Sequence, residues 1–257
     1  MIYEKRSLFE AMDINNQYGL KECQQDLLKL MLVFDKLCNE NNIVYSADSG
    51  TLLGAIRHDG FIPWDDDLDI VVDRKNYDKL MKVNLNRYGL EIVRKTFIES
   101  LRFIDNTSLS THPILDVFTI DNTPDNSLLR KWKITRIMMV HGLWHHYSPM
   151  KYPKKAYAKR LYSLFFGVIG GLLKEEQIFR LFQKVSMSGN RKRTRGVQCF
   201  NYLTRELGVV YPYNVLDNVE RHKFEEIEIN VTTMYDTYLR ALYGDYMKPV
   251  QTKVTEQ

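Results

Sequence analysis

The sequence contains little cysteine and no long hydrophobic run, and both shortages narrow the kind of protein that it encodes. Its three cysteines, Cys23, Cys38 and Cys199, are odd in number and far apart. They cannot build a disulfide framework or a CxxC metal site, which favours a reducing cytoplasm. The longest apolar run, Leu161 to Leu173, has 13 residues, fewer than the roughly 20 needed to cross a bilayer. We therefore expect no transmembrane helix, and no signal peptide because the N-terminus lacks an apolar segment.

Excess charge of one sign is also small. The chain has 36 Lys and Arg against 32 Asp and Glu, a formal net charge of +4. That excess is too small to indicate nucleic acid as the main ligand, although it suits a surface that meets phosphates or anionic headgroups. With 44% hydrophobic and 26% charged residues, the composition is that of an ordinary soluble protein.

The first 125 residues alternate between helical and extended patterns. Apolar residues recur at helical spacing over residues 21 to 40, which predicts an amphipathic helix. LDIVVD, residues 68 to 73, is a run of β-branched residues typical of a strand, and Asp73 is expected to cap the next helix. LEIVRK, FIESLRFI and ILDVFTI are three further strand candidates. Residues 1 to 125 are therefore predicted to form a mixed α/β core around one sheet flanked by helices.

From residue 126 to 257 the pattern is mostly helical, with a basic and aromatic insert at about 130 to 210. HKFEEIEIN predicts one last strand and TTMYDTYLRALYG a closing helix that ends at Gly244, both expected to pack back on the core. Two readings of the basic and apolar segment 151 to 173 stay open. It is either a buried helical hairpin broken at Gly170 and Gly171, which we favour slightly, or an anchor at the inner membrane surface.

Four aspartates crowd the start of the strand at 68 to 73. They are Asp65, Asp66, Asp67 and Asp69, and their mutual repulsion must be offset by solvent or by a cation. Side chains at i and i+2 of a strand share one face, so Asp67 and Asp69 are expected to point the same way. Two convergent carboxylates suit Mg²⁺, with Mn²⁺ as an alternative.

A third carboxylate and a small-residue turn complete the predicted site. Asp116 lies within the apolar strand ILDVF, where an unpartnered carboxylate costs several kcal/mol. It is therefore either in a salt bridge or a third metal ligand beside Asp67 and Asp69, and we favour the ligand. Upstream, Ser49, Gly50 and Thr51 open a short helix whose N–H groups are suited to bind phosphate.

Four other residues have a functional and a structural interpretation each. Arg57 either reaches a donor phosphate or forms a surface ion pair. Trp64 either stacks on a ligand, including a ligand cation by a cation–π contact, or packs as an ordinary hydrophobic residue. His141 and His145 have a spacing that can bind zinc, but no third ligand is evident and we expect aromatic packing.

The run from residue 46 to residue 80, which contains GTLLGAIRHDGFIPWDDDLDIVVD, resembles the signature of the LicD family of phosphotransferases. The resemblance continues in LDVFTIDNTP and in the closing YLRALYGDYMKP, and is absent from about 130 to 210. It implies a nucleotidyltransferase-like fold, a metal site at Asp67, Asp69 and Asp116, and a phosphate turn at Ser49 to Thr51. One departure is that Phe224, Glu225 and Glu226 stand where the family usually has Phe-Glu-Gly.

The resemblance also implies a reaction. A phospho-alcohol, with phosphocholine as the best candidate, would pass from a CDP-activated donor to a hydroxyl of a cell-surface glycan or its lipid-linked precursor, with release of CMP. Lipopolysaccharide, teichoic acid and capsule are glycans of this kind. The chain is also similar to fukutin-related ribitol-phosphate transferases, so the alcohol is not fixed. The alternatives are a nucleotidyltransferase that releases pyrophosphate and an inactive glycan-binding or assembly subunit.

Overall fold

The computed structural model describes residues 20–94, 96–104, 113–148, 156–191, 193–202 and 206–248. Within these ranges the helices are α1 (Lys21–Glu40), α2 (Ser49–His58), α3 (Arg74–Leu80), α4 (Ser127–Trp144), α5 (Tyr157–Gly170), α6 (Glu175–Ser186) and α7 (Tyr235–Tyr243). The strands are β1 (Ser46–Ala47), β2 (Leu68–Asp73), β3 (Leu90–Arg94), β4 (Glu99–Phe103), β5 (Leu115–Thr123), β6 (Gly196–Cys199), β7 (Tyr211–Pro212), β8 (Val219–Phe224) and β9 (Ile227–Thr232). The predicted mixed α/β architecture is confirmed.

The main sheet has the order β1-β2-β5-β4-β3, and β6 joins β5 and β7. Strands β2 and β5 run parallel, whereas the other pairs are antiparallel. β4 pairs with the beginning of β5 and β6 with its end. β5 is therefore the central strand, and its first residues lie between β2 and β4.

Helix α1 supplies much of the core around this sheet. Its inward face carries Leu27, Leu30, Met31, Phe34 and Leu37, all fully buried, and burying each such side chain contributes about 1.5–3 kcal/mol. A second, smaller core joins α4 to α6 through residues that include Ile137, Phe179 and Phe182. The sheet is thus covered by one helix from the beginning of the chain and by a helical layer from its second half.

Several predicted elements are confirmed and others are corrected. The helix at 21–40, the strand at 68–73 and the Asp73 cap are as expected, and Asp73 accepts from the Asn76 N–H at 2.7 Å. The HKFEEIEIN strand is wrong, because β8 and β9 form a two-stranded hairpin with Glu225 and Glu226 in its turn. Strands β6 and β7 were missed, and β6 adds to the main sheet a strand from the region predicted to be helical.

The interpretation of 151–173 as a buried helical hairpin is also wrong where it can be compared. A helix, a turn and another helix do follow one another from α5 to α6. However, α5 leaves most of its large apolar side chains exposed, and only Gly170 of this helix is buried. Residues 151–155 lie outside the described residues. Among the helices that are described, none is both long enough and apolar enough to cross a membrane.

Candidate active site

The parallel pairing of β2 with β5 brings the predicted carboxylates together. Asp69 and Asp116 are partners in this ladder, so their Cα atoms lie on neighbouring strands about 4.8 Å apart. Asp67 precedes β2 by one residue, two positions before Asp69. On the other side of β5, Ser100 of β4 is the register partner of Asp116 and its hydroxyl donates to Asp116 Oδ1. All three predicted aspartates therefore lie at one end of two adjacent strands.

The electrostatics of this end are unfavourable for uncompensated negative charge. The pKa of Asp69 is raised well above its usual value by burial and by Asp67, Asp48, Asp116 and Asp65. Burial also raises the pKa of Asp65 to about 7, with further contributions from Asp67 and Asp66. Carboxyls that repel each other in this way gain most from a bound cation, which would offset the repulsion.

The predicted phosphate turn is fixed directly on the strand that carries Asp69. Asp48 caps α2 by accepting from the Ser49 N–H at 2.7 Å, and Ser49 has a positive φ of 43°. The Asp48 N–H donates to the Asp69 carbonyl at 2.9 Å, and the Asp69 N–H donates to Thr51 Oγ1 at 2.8 Å. Asp48 and Thr51 thus form hydrogen bonds with the carbonyl and the N–H of Asp69. These bonds place the N-terminus of α2 beside the carboxylates.

Gly50 leaves room at this turn for the Asp65 side chain. A Cβ at position 50 would lie 2.6 Å from Asp65 Oδ2, closer than two such atoms approach. The Asp65 side chain therefore lies against the backbone of the turn. The predicted residues Ser49, Gly50 and Thr51 are all adjacent to the acidic end of β2.

Asp48 was not identified from the sequence as a site residue, although it is central to the arrangement. It is fully buried, and it accepts from the Tyr202 hydroxyl at 2.7 Å and the Tyr238 hydroxyl at 2.8 Å. Burial raises the pKa of Asp48 to about 6, while its hydrogen bonds with Tyr202, Tyr238 and Ser49 act to lower it. Tyr211 stacks on Tyr238 with ring centroids 4.1 Å apart. Tyrosines from distant parts of the chain therefore hold the residue that caps the phosphate turn.

The C-terminal helix forms a wall of the same site. Tyr243, the last residue of α7, forms a hydrogen bond with Ser49, and burial together with Asp48 and Asp69 raises its pKa. No local sequence signal marks Tyr243 or Tyr238 as functional, because both look like ordinary apolar positions of an amphipathic helix. Only the tertiary contacts identify them.

Arg57 and Trp64 occupy different surroundings from the carboxylates. Arg57 is at the far end of α2, where its Nη1 donates to the Tyr246 carbonyl at 3.1 Å, and burial lowers its pKa. It therefore ties α2 to the segment that follows α7. Trp64 has 43% of its surface exposed and immediately precedes the acidic cluster. The exposed part of Trp64 therefore lies at a position that a ligand can reach.

His141 and His145 both lie beside aromatic rings. His141 stacks on Phe97 with ring centroids 4.5 Å apart, and it also contacts Phe182. Burial lowers the pKa of His141 to about 4. The expected aromatic packing is confirmed for His141.

The residues at the acidic end fit a hard divalent cation in their chemistry. Asp67, Asp69 and Asp116 offer only carboxylate oxygens, which Mg²⁺ and Mn²⁺ prefer. As they stand, no three His, Cys, Asp or Glu side chains in the described ranges form a group that could hold a metal ion. Because Asp69 and Asp116 are neighbours in register, their side chains would need to turn towards a shared ion while the strands keep their places.

Comparison with known proteins supports the family that the sequence resembles. Residues 42–168 match the family described as LicD/FKTN/FKRP, nucleotidyltransferase domain. The lipopolysaccharide cholinephosphotransferase LicD of Haemophilus influenzae is 26% identical over 251 residues, covering 89% of this chain and 91% of that protein. An uncharacterized protein of Rickettsia prowazekii is 47% identical over 57 residues, or 22% of this chain. The chain thus contains, at residues 42–168, a nucleotidyltransferase domain of the LicD family.

Proposed function

We propose that this protein transfers phosphocholine from CDP-choline to a hydroxyl of a cell-surface glycan such as lipopolysaccharide, in a reaction that depends on a divalent metal. The observation that carries the proposal is the in-register pairing of Asp69 with Asp116 beside a helix N-terminus. The relative from Haemophilus influenzae, named a lipopolysaccharide cholinephosphotransferase and matched over 89% of this chain, supports the choice of group and acceptor.

In this proposal the residues have distinct tasks. Asp67, Asp69 and Asp116 would hold the metal, which neutralises charge on the donor phosphates when it is bound. The turn at Ser49 to Thr51 offers backbone N–H groups and hydroxyls to a phosphate. Trp64 offers an exposed ring to the quaternary ammonium of choline.

The transfer step is a displacement at phosphorus. The acceptor hydroxyl oxygen forms a bond to the phosphorus that bears choline, and the bond from that phosphorus to the oxygen of CMP breaks. The hydroxyl proton passes to a carboxylate, with Asp116 as the proposed acceptor, and CMP leaves with the bonding electron pair. Ser100 donates to Asp116 Oδ1, which fixes the orientation of this carboxylate beside Asp69.

The proposal is tested by comparing Asp69→Asn with Asp66→Asn. Both changes remove one carboxylate charge from the same cluster, but Asp66 is exposed and its position is outside the β2–β5 pair. Purified protein is incubated with Mg²⁺, CDP-choline and a glycan acceptor, and CMP is measured. We expect Asp69→Asn to lower turnover by at least about a hundredfold, Asp66→Asn to stay near the wild-type rate, and EDTA to abolish the reaction.

The same assay separates the two enzyme classes. A nucleotidyltransferase would release pyrophosphate from CTP and leave every CDP-alcohol unchanged, which would overturn the proposal. Folded protein that processes neither donor would indicate an inactive binding subunit. If Asp69→Asn kept full activity while wild-type protein released CMP, the reaction would stand and the assigned metal site would not.

A further inference from the structure

The outward face of α5 is an exposed apolar surface that the proposed reaction does not use. Large side chains recur along it at i, i+4, i+7, i+8 and i+11, a spacing that puts them on one side of a helix. Each of these five side chains exposes between 59% and 75% of its surface, and Leu172 in the adjoining turn exposes 82%. We call this set the α5 face: Tyr157, Leu161, Leu164, Phe165, Val168 and Leu172.

The opposite edge of α5 already accounts for its attachment to the protein. The Tyr162 hydroxyl donates to the Met138 carbonyl of α4. A Cβ at Gly170 would lie 2.0 Å from the Leu143 carbonyl oxygen, so the two helices touch through their backbones there. Phe166 packs against the second core. The helix is therefore held by its inner edge, and the α5 face adds nothing to the described core.

An apolar surface of this kind calls for a partner. Monomeric soluble proteins rarely expose contiguous apolar patches larger than a few hundred Å², and six large side chains that are each more than half exposed form a patch of that order. Exposure of this patch to water is unfavourable, whereas its burial at a non-polar or interfacial surface would contribute binding energy.

The charge of the two helices α4 and α5 indicates which partner fits the α5 face. Every charged residue of α4 and α5 is basic, and neither helix contains Asp or Glu. Lys159 and Arg160 are exposed in the first turn of α5, and Lys131 is exposed on α4. A second copy meeting this face with its own would bring like charges together, which is unfavourable. An anionic partner would be attracted.

We propose that the α5 face docks on an anionic phospholipid surface, with α5 lying in the plane of the interface. The apolar side chains would enter the region between headgroups and acyl chains, and Lys159 and Arg160 would contact lipid phosphates. This arrangement is that of an interfacial amphipathic helix, which is buried by roughly 5–10 Å. At 14 residues, α5 is too short to span a bilayer, which agrees with a helix that lies on the membrane.

The proposal predicts binding to vesicles that requires both lipid charge and the apolar face. Purified protein is sedimented with phosphatidylcholine vesicles that contain about a quarter phosphatidylglycerol, and with phosphatidylcholine alone. We expect binding to the anionic vesicles at low salt, and a large loss of binding at about 0.5 M salt, where the Debye length falls to roughly 4 Å. Little binding to neutral vesicles is expected.

Variants test the assigned residues. The double change Leu164→Gln and Val168→Gln should weaken vesicle binding by at least about tenfold, because it removes two apolar side chains from the interface. Leu32→Gln is the matched control, since Leu32 is 49% exposed on α1, and it should bind as wild type does. Lys159→Gln with Arg160→Gln should also weaken binding on the order of tenfold and should make the remainder less sensitive to salt.

Absence of binding to anionic vesicles at low salt would overturn the proposal, as would equal binding by the Leu164 and Val168 double variant. A dimer in analytical ultracentrifugation that dissociates in that variant would assign the face to a second copy instead. The assay contains no donor or acceptor, so its outcome does not depend on the proposed reaction. Circular dichroism of each variant shows whether it is folded, and the charge variant gives a second test if the apolar one is not.

Discussion

At the scale of single residues, the buried carboxyl groups of the candidate site differ in what stabilises their negative charge. Asp48 accepts hydrogen bonds from the hydroxyls of Tyr202 and Tyr238. These two neutral donors stabilise its negative charge, so Asp48 needs no cation. Asp69 has four carboxyl neighbours that raise its pKa. Aspartate therefore has a structural role at position 48, whereas at position 69 it is repelled by neighbouring carboxyls. This repulsion marks Asp69 as part of the candidate reaction centre.

Outside the site, His141 gives a prediction for stability against pH. Burial lowers its pKa from 6.5 to about 4, so below pH 6.5 the unfolded chain binds a proton that the folded chain does not. Stability should therefore fall as the pH drops from 6.5 to 4, by up to roughly 3 kcal/mol from this one residue. Urea unfolding at several pH values measures this loss.

Replacing the ring identifies the source of that loss. His141→Phe keeps an aromatic ring against Phe97 and should reduce the pH dependence between 6.5 and 4. His146→Phe changes an exposed histidine five residues further on, and should leave the dependence as in wild type. Equal slopes in wild type and His141→Phe would mean that this ring does not titrate differently in the two states.

At the scale of elements, Gly54 determines how closely α2 approaches the loop that follows it. A Cβ at position 54 would lie 2.4 Å from the Gly60 carbonyl oxygen, and that oxygen belongs to the backbone and cannot swing aside. In an open helix Gly→Ala stabilises by about 1 kcal/mol. Here we expect Gly54→Ala to destabilise by about 1–3 kcal/mol, because overpacking outweighs helix propensity.

Gly208→Ala is the control for that change. Gly208 has open space around its Cβ position and no positive φ, so we expect a change within about 0.5 kcal/mol. Both variants are compared by urea unfolding. A stabilised Gly54→Ala would show that α2 and the loop at 59–62 can separate without cost.

The sequence predicted elements where the local pattern was strong. β2 is a run of β-branched residues and α1 has regular apolar spacing, and both have the predicted bounds. β6 was missed because its four residues are all buried and show no alternation. The β8–β9 hairpin was read as one strand because its turn is built by Glu225 with φ 52° and Glu226, where a glycine would have signalled a turn.

For the molecule as a whole, the helical layer is joined to β5 through the ion pair between Arg74 of α3 and Asp121. Asp121 of β5 accepts from Arg74 in two hydrogen bonds, and Asn190 and Gln183 from the helical layer bind the same two residues. The Asp121 side chain is 1% exposed. Because Asp121 is five residues beyond Asp116 on β5, this network fixes the position of the helical layer on the strand that carries the candidate site.

Breaking that pair should cost much more than breaking a surface pair. Arg74→Met leaves the Asp121 charge buried, and we expect a loss of about 3–5 kcal/mol in unfolding free energy. Arg180→Met breaks the ion pair between Arg180 and Glu176, in which the two side chains are 77% and 53% exposed. This change should lower the unfolding free energy by less than about 1 kcal/mol. Thermal or urea unfolding compares them. Similar small losses in both would mean that the Arg74 pair does not hold the layers together.

The site as a whole was predictable only in part. The carboxylates and the turn at 49–51 stood out because charges and small residues cluster locally in the sequence. Asp48, Tyr202 and Tyr238 did not, because their connection exists only after folding has brought three distant segments together. Long-range hydrogen bonds leave no periodic trace along a chain, so no local pattern could have assigned them.

The hydrogen bond from Tyr238 to Asp48 spans 190 residues of sequence, and this separation bears on when activity can arise during synthesis. At roughly 5–20 residues per second, a ribosome that has just made Asp48 needs on the order of 10–40 s more to make its partner. Until then the carboxyl that caps the phosphate turn lacks one of its phenols, and the wall formed by α7 does not exist. A nascent chain therefore carries the acidic residues of the candidate site long before α7 is made, and we expect competence for the proposed reaction only once α7 is present.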